Sequence, residues 1–282
     1  MASLLLVIAC TYLAISINIK KRTDKTYQFA RNNAVLPTDT ATIARGKHLV
    51  AIKGCNDCHG NNMGGKLFLN DSALGILPAA NLTKGKGGLP QDYDTADWLM
   101  ALEHGVHRNG KPLLFMPSYE YAKLTQSDKL AIIAYCNTLP KVDNVLVPYD
   151  LGPITKIMTF AGKMPLFPVD MIDHNAENEN ALPPSAEGVA LGKYLSTSCT
   201  GCHRDNFKGG DPIAPGFPPV PNITATGNPG KWSKEQFITT LRTGKNPTGH
   251  QMKAKEMPWT MTAQYTDKEL SSLYQFLNTL KN

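Results

Sequence analysis

Two short stretches of this 282-residue chain gather residues able to hold a metal or a cofactor: "CNDCH" (55–59) and "CTGCH" (199–203). The chain has only six cysteines and seven histidines, so one such pentapeptide arises by chance in about three of a thousand chains of this composition. Three chemistries compete for the pattern. A structural zinc site needs four ligands, commonly two close cysteine pairs. Here the pairs stand 144 residues apart, each with one adjacent histidine. A redox-active disulfide suits a βαβ setting and leaves the histidine unexplained. A covalently attached haem uses every part: both thiols become thioethers, and the histidine behind the second cysteine ligates the iron. Cys55, Cys58 and His59 would hold one haem c, and Cys199, Cys202 and His203 a second.

The sixth iron ligand separates electron transfer from catalysis, because a closed iron carries electrons and an open one binds small molecules. Met116 and Met257 stand at equivalent places, 141 residues apart, and each precedes a proline, Pro117 or Pro258. Proline holds the residue before it extended, as a ligand-presenting loop requires. The expected iron ligands are therefore His59 with Met116 and His203 with Met257. Met63, Met100, Met252 and Met261 lack a matching counterpart. His104, His107 and His250 read as surface or loop histidines. Cys136 falls in an apolar helix and reads as a buried, inert thiol.

The elements around these residues repeat as well. "NLT" (81–83) returns as "NIT" (222–224), "FMPS" (115–118) as "EMPW" (256–259) and "NTL" (137–139) as "NTL" (278–280), each at an offset of 141. "RGKHL" (45–49) resembles "LGKYL" (191–195). A unit of about a hundred residues is duplicated. Each unit reads as helical: Thr266 with Glu269 predicts a capping box ahead of Leu270, Leu273, Tyr274 and Leu277. Leu130, Ile133 and Ala134 do the same in the first unit. Ser233 with Gln236 opens a helix carrying Phe237 and Leu241, whose counterpart holds Trp98 and Leu102. Alternating strand patterns are absent, and loops such as "DPIAPGFPPVPN" (211–222) are long. An all-α unit this sparse needs an apolar body at its centre, which a haem supplies. Between the units, "ITKIMTFAGKMPLF" (154–167) is apolar enough to pack on a domain, and "LPPSAE" (182–187) ends the stretch like a linker.

The N-terminal segment differs. Residues 2–19 contain no charge and precede Lys20, Lys21 and Arg22. Eighteen uncharged residues approach the length of a bilayer span and exceed a usual signal-peptide core. An uncleaved anchor is expected, with a cleaved signal, or lipidation at Cys10 of "VIAC", as alternatives. The basic cluster after the span runs against the positive-inside tendency for an exported domain. The net charge of +6 is spread without basic runs interleaved with aromatics, so nucleic acid is not an expected partner.

On these residues each unit resembles a class I cytochrome c: Gly46 or Gly192 in the first helix, Cys-x-x-Cys-His behind it, a Met-Pro loop, and a closing helix with an aromatic, Tyr135 or Phe276. The resemblance implies that first and last helices cross at the glycine and the aromatic. It also implies that a proline carbonyl, from Pro78 in the first unit and Pro219 or Pro221 in the second, orients the ligand histidine. "NLT" and "NIT" then mark a turn near the haem rather than glycosylation sites. The tandem order is similar to the multihaem cytochrome subunits of membrane-bound alcohol and sugar dehydrogenases, which usually carry three haem domains and a C-terminal membrane helix, where two and none are read here. The expected architecture is all-α, with two tandem class I domains after one N-terminal transmembrane helix: anchor 1–19, linker 20–37, first domain 38–140, connector 141–184, second domain 185–282. The expected function is electron transfer, without bond chemistry of its own. A quinol-oxidising complex or a dehydrogenase would donate, and a terminal oxidase or soluble carrier would accept. The haem domains would lie on the periplasmic face of a bacterial inner membrane. A dihaem peroxidase or a thiosulfate-oxidising cytochrome is the alternative. Trp259 and the basic rim of the second domain could form a docking edge.

Overall fold

The computed structural model describes residues 1–175, 186–213 and 216–281. The expected boundary at 184/185 and most of the "LPPSAE" stretch lie outside them. The chain divides into two compact units: Met1–Lys47, Cys55–Ala122 and Gln126–Ala176 in the first, His48–Gly54, Lys123–Thr125 and Glu177–Asn282 in the second. The helices are α1 (Ala2–Asp24), α2 (Thr40–Ile52), α3 (Cys55–His59), α4 (Thr95–His104), α5 (Ser118–Tyr121), α6 (Gln126–Asn137), α7 (Pro153–Phe160), α8 (Gly188–Leu195), α9 (Thr200–His203), α10 (Lys234–Thr243), α11 (Trp259–Thr262) and α12 (Asp267–Thr279).

In the first unit α2 and α6 cross at Gly46. A Cβ there would lie 1.9 Å from the Ala131 carbonyl oxygen and 2.9 Å from Tyr135 Cβ. In the second unit α8 and α12 cross at Gly192, where a Cβ would lie 2.0 Å from the Ser272 oxygen and 2.7 Å from Phe276 Cβ. Only a residue without a side chain permits either backbone approach. The helix starts follow local chemistry. Thr266 with Glu269 and Ser233 with Gln236 form the two expected capping boxes, and Asp94 with Asp97 forms a third ahead of α4. Each box satisfies orphan N–H groups of a first turn. Leu270, Leu273, Phe276 and Leu277 line the buried face of α12.

The fold is mostly helical but not all-α. Strands β1 (Lys66–Asp71), β2 (Gly75–Ala79) and β3 (Asp150–Leu151) form an antiparallel sheet in the order β1-β2-β3. Asp71 turns the hairpin by accepting the N–H groups of Ala73 and Leu74, both at 2.8 Å. Gly75 follows at φ 103°. The strands are short, irregular between Leu67 and Leu69, and mostly solvent-facing on β1, so no alternation of buried and exposed positions marks them in the sequence. The third strand comes from the connector.

The connector does pack on the first unit. Leu151, Leu166, Phe167 and Val169 join Leu77, Met100, Val106 and Ile19 of α1 in one buried cluster. Residues 20–37 are more than a linker. Beyond α1 the chain runs over the first unit in extended form: Tyr27 N–H donates to the Gly110 oxygen at 2.9 Å. The Phe29 ring stacks on His104 at 4.1 Å. Arg31 binds Asp94 and the fully buried Asp97.

Candidate haem sites

Both pentapeptides form short helical turns ending at the histidine, and the same hydrogen bonds surround each. His59 Nδ1–H donates to the Ala80 carbonyl at 2.7 Å, and His203 Nδ1–H to the Pro221 carbonyl at 2.9 Å. A carbonyl can only accept, so the proton sits on Nδ1 and leaves Nε2 bare to meet a metal. Burial pushes both imidazoles below their ordinary pKa, although each carbonyl bond opposes it, and the neutral ring is the ligating form. The orienting carbonyl is thus Pro221 in the second unit but Ala80, not Pro78, in the first. Pro78 is paired with Leu67 in the sheet.

The residue after each carbonyl is the asparagine of "NLT" or "NIT". Asn81 Oδ1 accepts Thr83 N–H at 2.9 Å and Asn222 Oδ1 accepts Thr224 N–H at 2.8 Å. Each threonine hydroxyl donates to the same oxygen at 2.8 Å. These side-chain turns fix the carbonyl that fixes the histidine. The middle residue closes the loop: Leu82 N–H donates to the Met63 oxygen at 2.8 Å, and Ile223 N–H to the Phe207 oxygen at 3.0 Å. Met63 and Phe207, four residues past their histidines, are both left-handed, at φ 55° and 58°, and both buried. The positional counterpart of Met63 is therefore a phenylalanine in the same packing role.

The Met-Pro loops agree as closely. Pro117 lies at φ −78°, ψ 54° and Pro258 at φ −75°, ψ 59°. Ser118 N–H donates to the Met116 oxygen at 2.8 Å, and Trp259 N–H to the Met257 oxygen at 2.7 Å. Each is an inverse γ-turn with proline at its centre. Trp259 is half-buried and packs on Gly244, where a Cβ would lie 2.6 Å from its ring, and its Nε1–H donates to the Met252 oxygen at 3.1 Å. It braces the methionine loop. In the first unit the brace is different: Phe115 is left-handed at φ 63°, donates N–H to the Leu166 oxygen at 2.9 Å and lies 5.5 Å from the Phe68 ring.

In the second unit these residues surround a cavity of about 340 Å³. Cys199, Cys202, His203 and Met257 all line it, among apolar walls that include Phe237 and Leu273. That volume falls within the ~300–1,000 Å³ of cofactor sites. Two thiols one helical turn apart, an oriented imidazole and apolar walls fit a covalently attached haem. Met252, Met261 and His250 share the lining, so Met257 is distinguished by its turn and not by access alone. His250, read from sequence as a loop histidine, is exposed yet reaches this cavity, because the turn after α10 folds back on itself: Asn246 N–H donates to the His250 oxygen at 3.0 Å. In the first unit Cys55, Cys58 and His59 share α3, and Met116 follows on the loop before α5. Among the described residues the buried Trp98 Nε1 and Ser118 Oγ, like Ser16 Oγ and Thr159 Oγ1, have no hydrogen-bond partner, and Ser118 lies two residues from Met116. Cys136 is buried and burial pushes its thiol far up, as an inert cysteine requires.

Comparison with known proteins agrees with this geometry. Residues 189–281 match the family model described as cytochrome c. Over 269 residues the chain is 23% identical to the cytochrome c subunit of the quinone alcohol dehydrogenase of Komagataeibacter europaeus, covering 86% of this chain and 56% of that protein. It is 26% identical over 271 residues to the fructose dehydrogenase cytochrome subunit of Gluconobacter japonicus, covering 85% and 52%. It is 25% identical over 237 residues to the gluconate 2-dehydrogenase cytochrome c subunit of Pantoea cypripedii, covering 73% and 52%. The chain spans about half the length of the curated relatives it matches. Residues 189–281 thus match a cytochrome c domain, and over most of its length the chain is similar to proteins named as cytochrome subunits of dehydrogenases.

Proposed function

We propose that the chain is a dihaem c-type cytochrome, held to a bacterial inner membrane by α1. It passes electrons from a dehydrogenase or a quinol-oxidising complex to a terminal oxidase or a soluble carrier. The observation that carries the reading is the recurrence around His59 of the whole hydrogen-bonded frame around His203, down to the left-handed residue four positions later. The relatives' names, which join cytochrome c subunits to alcohol, fructose and gluconate dehydrogenases, support the choice of donor.

Haem c, when attached, supplies one-electron chemistry at each unit. Cys55 and Cys58, and Cys199 and Cys202, would anchor it. His59 and His203 would offer Nε2 while their Nδ1–H groups stay hydrogen-bonded to backbone carbonyls. Met116 and Met257, held by their γ-turns, would each offer a thioether sulfur to the iron. The apolar walls around His203 exclude water. The haem domains face the periplasm in this reading.

The test is spectroscopic. A pyridine haemochrome assay against protein concentration should give two covalent haems per chain, and the reduced protein should not bind carbon monoxide. One haem per chain would confine the cofactor to the second unit. Carbon monoxide binding would mean an open iron and would revive a peroxidase-type activity.

A further inference from the structure

Helix α7 has its polarity reversed. Thr155 and Thr159 face inward at 0% and 5% exposure, while Ile154, Ile157 and Phe160 face outward at 41%, 46% and 55%. These three, with the exposed Pro153 and Ala161, form one helical face at spacings of three and four. A soluble unit normally places such a face in its core. On the inward side Thr155 Oγ1–H donates to the Leu74 oxygen at 2.7 Å, while the buried Thr159 hydroxyl has no hydrogen-bond partner among the described residues.

The neighbour of α7 explains the reversal. It packs against α1, whose only buried residue is Ile19. Leu4 through Ile8, Leu13 and Ile17 of α1 are exposed, while Tyr12 and Ile15 are half-buried. The contact lies along the second half of the apolar stretch: Lys156 Nζ is 6.0 Å from the Tyr12 ring centroid, and Ile15 and Ile19 pack on the cluster that contains Leu151. Residues 12–19 rise by about 12 Å along the helix. If residues 2–19 cross a bilayer, whatever packs beside 12–19 must lie about 5–10 Å below its surface, the depth of an interfacial helix. Lys156 and Lys163 belong to and follow α7, and Lys20, paired with Asp24, and Lys21 follow the apolar stretch of α1, a basic content suited to anionic headgroups.

We propose that the outward face of α7 is a second membrane contact, an interfacial helix seated in the bilayer beside α1, with Ile154, Ile157 and Phe160 inserted among the acyl chains. It would hold the first unit at a fixed height and tilt on the membrane, where a single span would leave it free to swivel. The proposal rests on the reading that α1 is a retained span.

The experiment places spin labels on the full haem-loaded chain in vesicles of phosphatidylcholine and phosphatidylglycerol. On a Cys10→Ser background, Ile157→Cys, Phe160→Cys, Leu6→Cys and the exposed control Lys47→Cys are labelled one at a time. Collision with oxygen, which partitions into lipid, is compared with collision with a nickel chelate, which stays in water. Oxygen should dominate at positions 6, 157 and 160, with the ratio at 157 and 160 about fivefold or more above that at 47. Nickel access at 157 and 160 with oxygen dominant at 6 overturns the proposal and leaves the anchor standing. Shielding of 157 and 160 from both reagents overturns it in favour of a second copy of the chain. Nickel access at 6 removes the anchor and the proposal together.

Discussion

Met257 and Met116 carry no special side-chain chemistry beyond a soft sulfur; what sets them apart is the proline behind each, which closes a γ-turn at nearly the same φ and ψ. Met257→Ala should therefore open one iron to carbon monoxide, and Met116→Ala the other, each giving about one bound carbon monoxide per chain by optical titration. If Met257→Ala still excludes it, the ligand is one of Met252, Met261 or His250, which line the same cavity. A second residue-scale effect concerns alkali. Burial first, and then the hydrogen bond to Asp170, push the Tyr27 phenol up to about 12. The unfolded phenol ionises near pH 10, so its stabilising contribution is intact below that pH. It is lost as pH rises through about 12. Denaturant titrations should show about 1 kcal/mol of stability lost over this window, reduced in Tyr27→Phe, since the half-buried ring is partly screened by water.

Elements impose sharper tolerances. A Cβ at Gly192 or Gly46 meets a backbone carbonyl at about 2 Å, and backbone cannot swing aside as a side chain can. Gly192→Ala should cost about 3 kcal/mol or more, measured as a fall in the denaturation midpoint of the holoprotein. Thr266→Ala should cost about 1 kcal/mol, because the box ahead of α12 loses one side-chain acceptor while Glu269 remains. If the two substitutions had equal effects, the helix crossing would not be the tight point of the unit.

At the scale of the molecule, the first unit is assembled from chain far on either side of its repeat. Residues 141–144 clamp the histidine loop: Asn144 Nδ2–H donates to the Gly64 and Gly65 oxygens at 2.8 and 3.0 Å, and Asn81 Nδ2–H donates to the Val142 oxygen at 2.7 Å. From the other direction, Arg31 reaches Asp94 and the fully buried Asp97, which also faces Arg108 Nε at 3.5 Å. Arg31→Ala should destabilise the first unit by about 2 kcal/mol, less than the ~3–5 kcal/mol of a fully orphaned buried charge, because Arg108 remains. Differential hydrogen exchange should then show faster exchange in residues 25–35 with the Cys199–His203 region unchanged.

The sequence by itself determined which chemistry to expect. Five adjacent residues point to covalent attachment and histidine ligation, and a repeat offset of 141 pairs Met116 with Met257 and Asn81 with Asn222. It also determined where α10 and α12 begin, since a capping box is local, whereas the crossing of helices at Gly46 and Gly192 was implied by the resemblance to class I cytochromes c and matches the close approaches found there. What only the tertiary structure decided are matters of long-range contact. The carbonyl that orients His59 belongs to Ala80, because Pro78 is occupied in the sheet. The sheet leaves no periodicity in the sequence because its strands are short, the first is mostly exposed, and the third comes from the connector. The role of residues 25–31, the brace that Trp259 gives the methionine loop, the reach of His250 into the cavity and the outward apolar face of α7 depend on which surfaces meet, and residue type and spacing along a chain do not encode that directly.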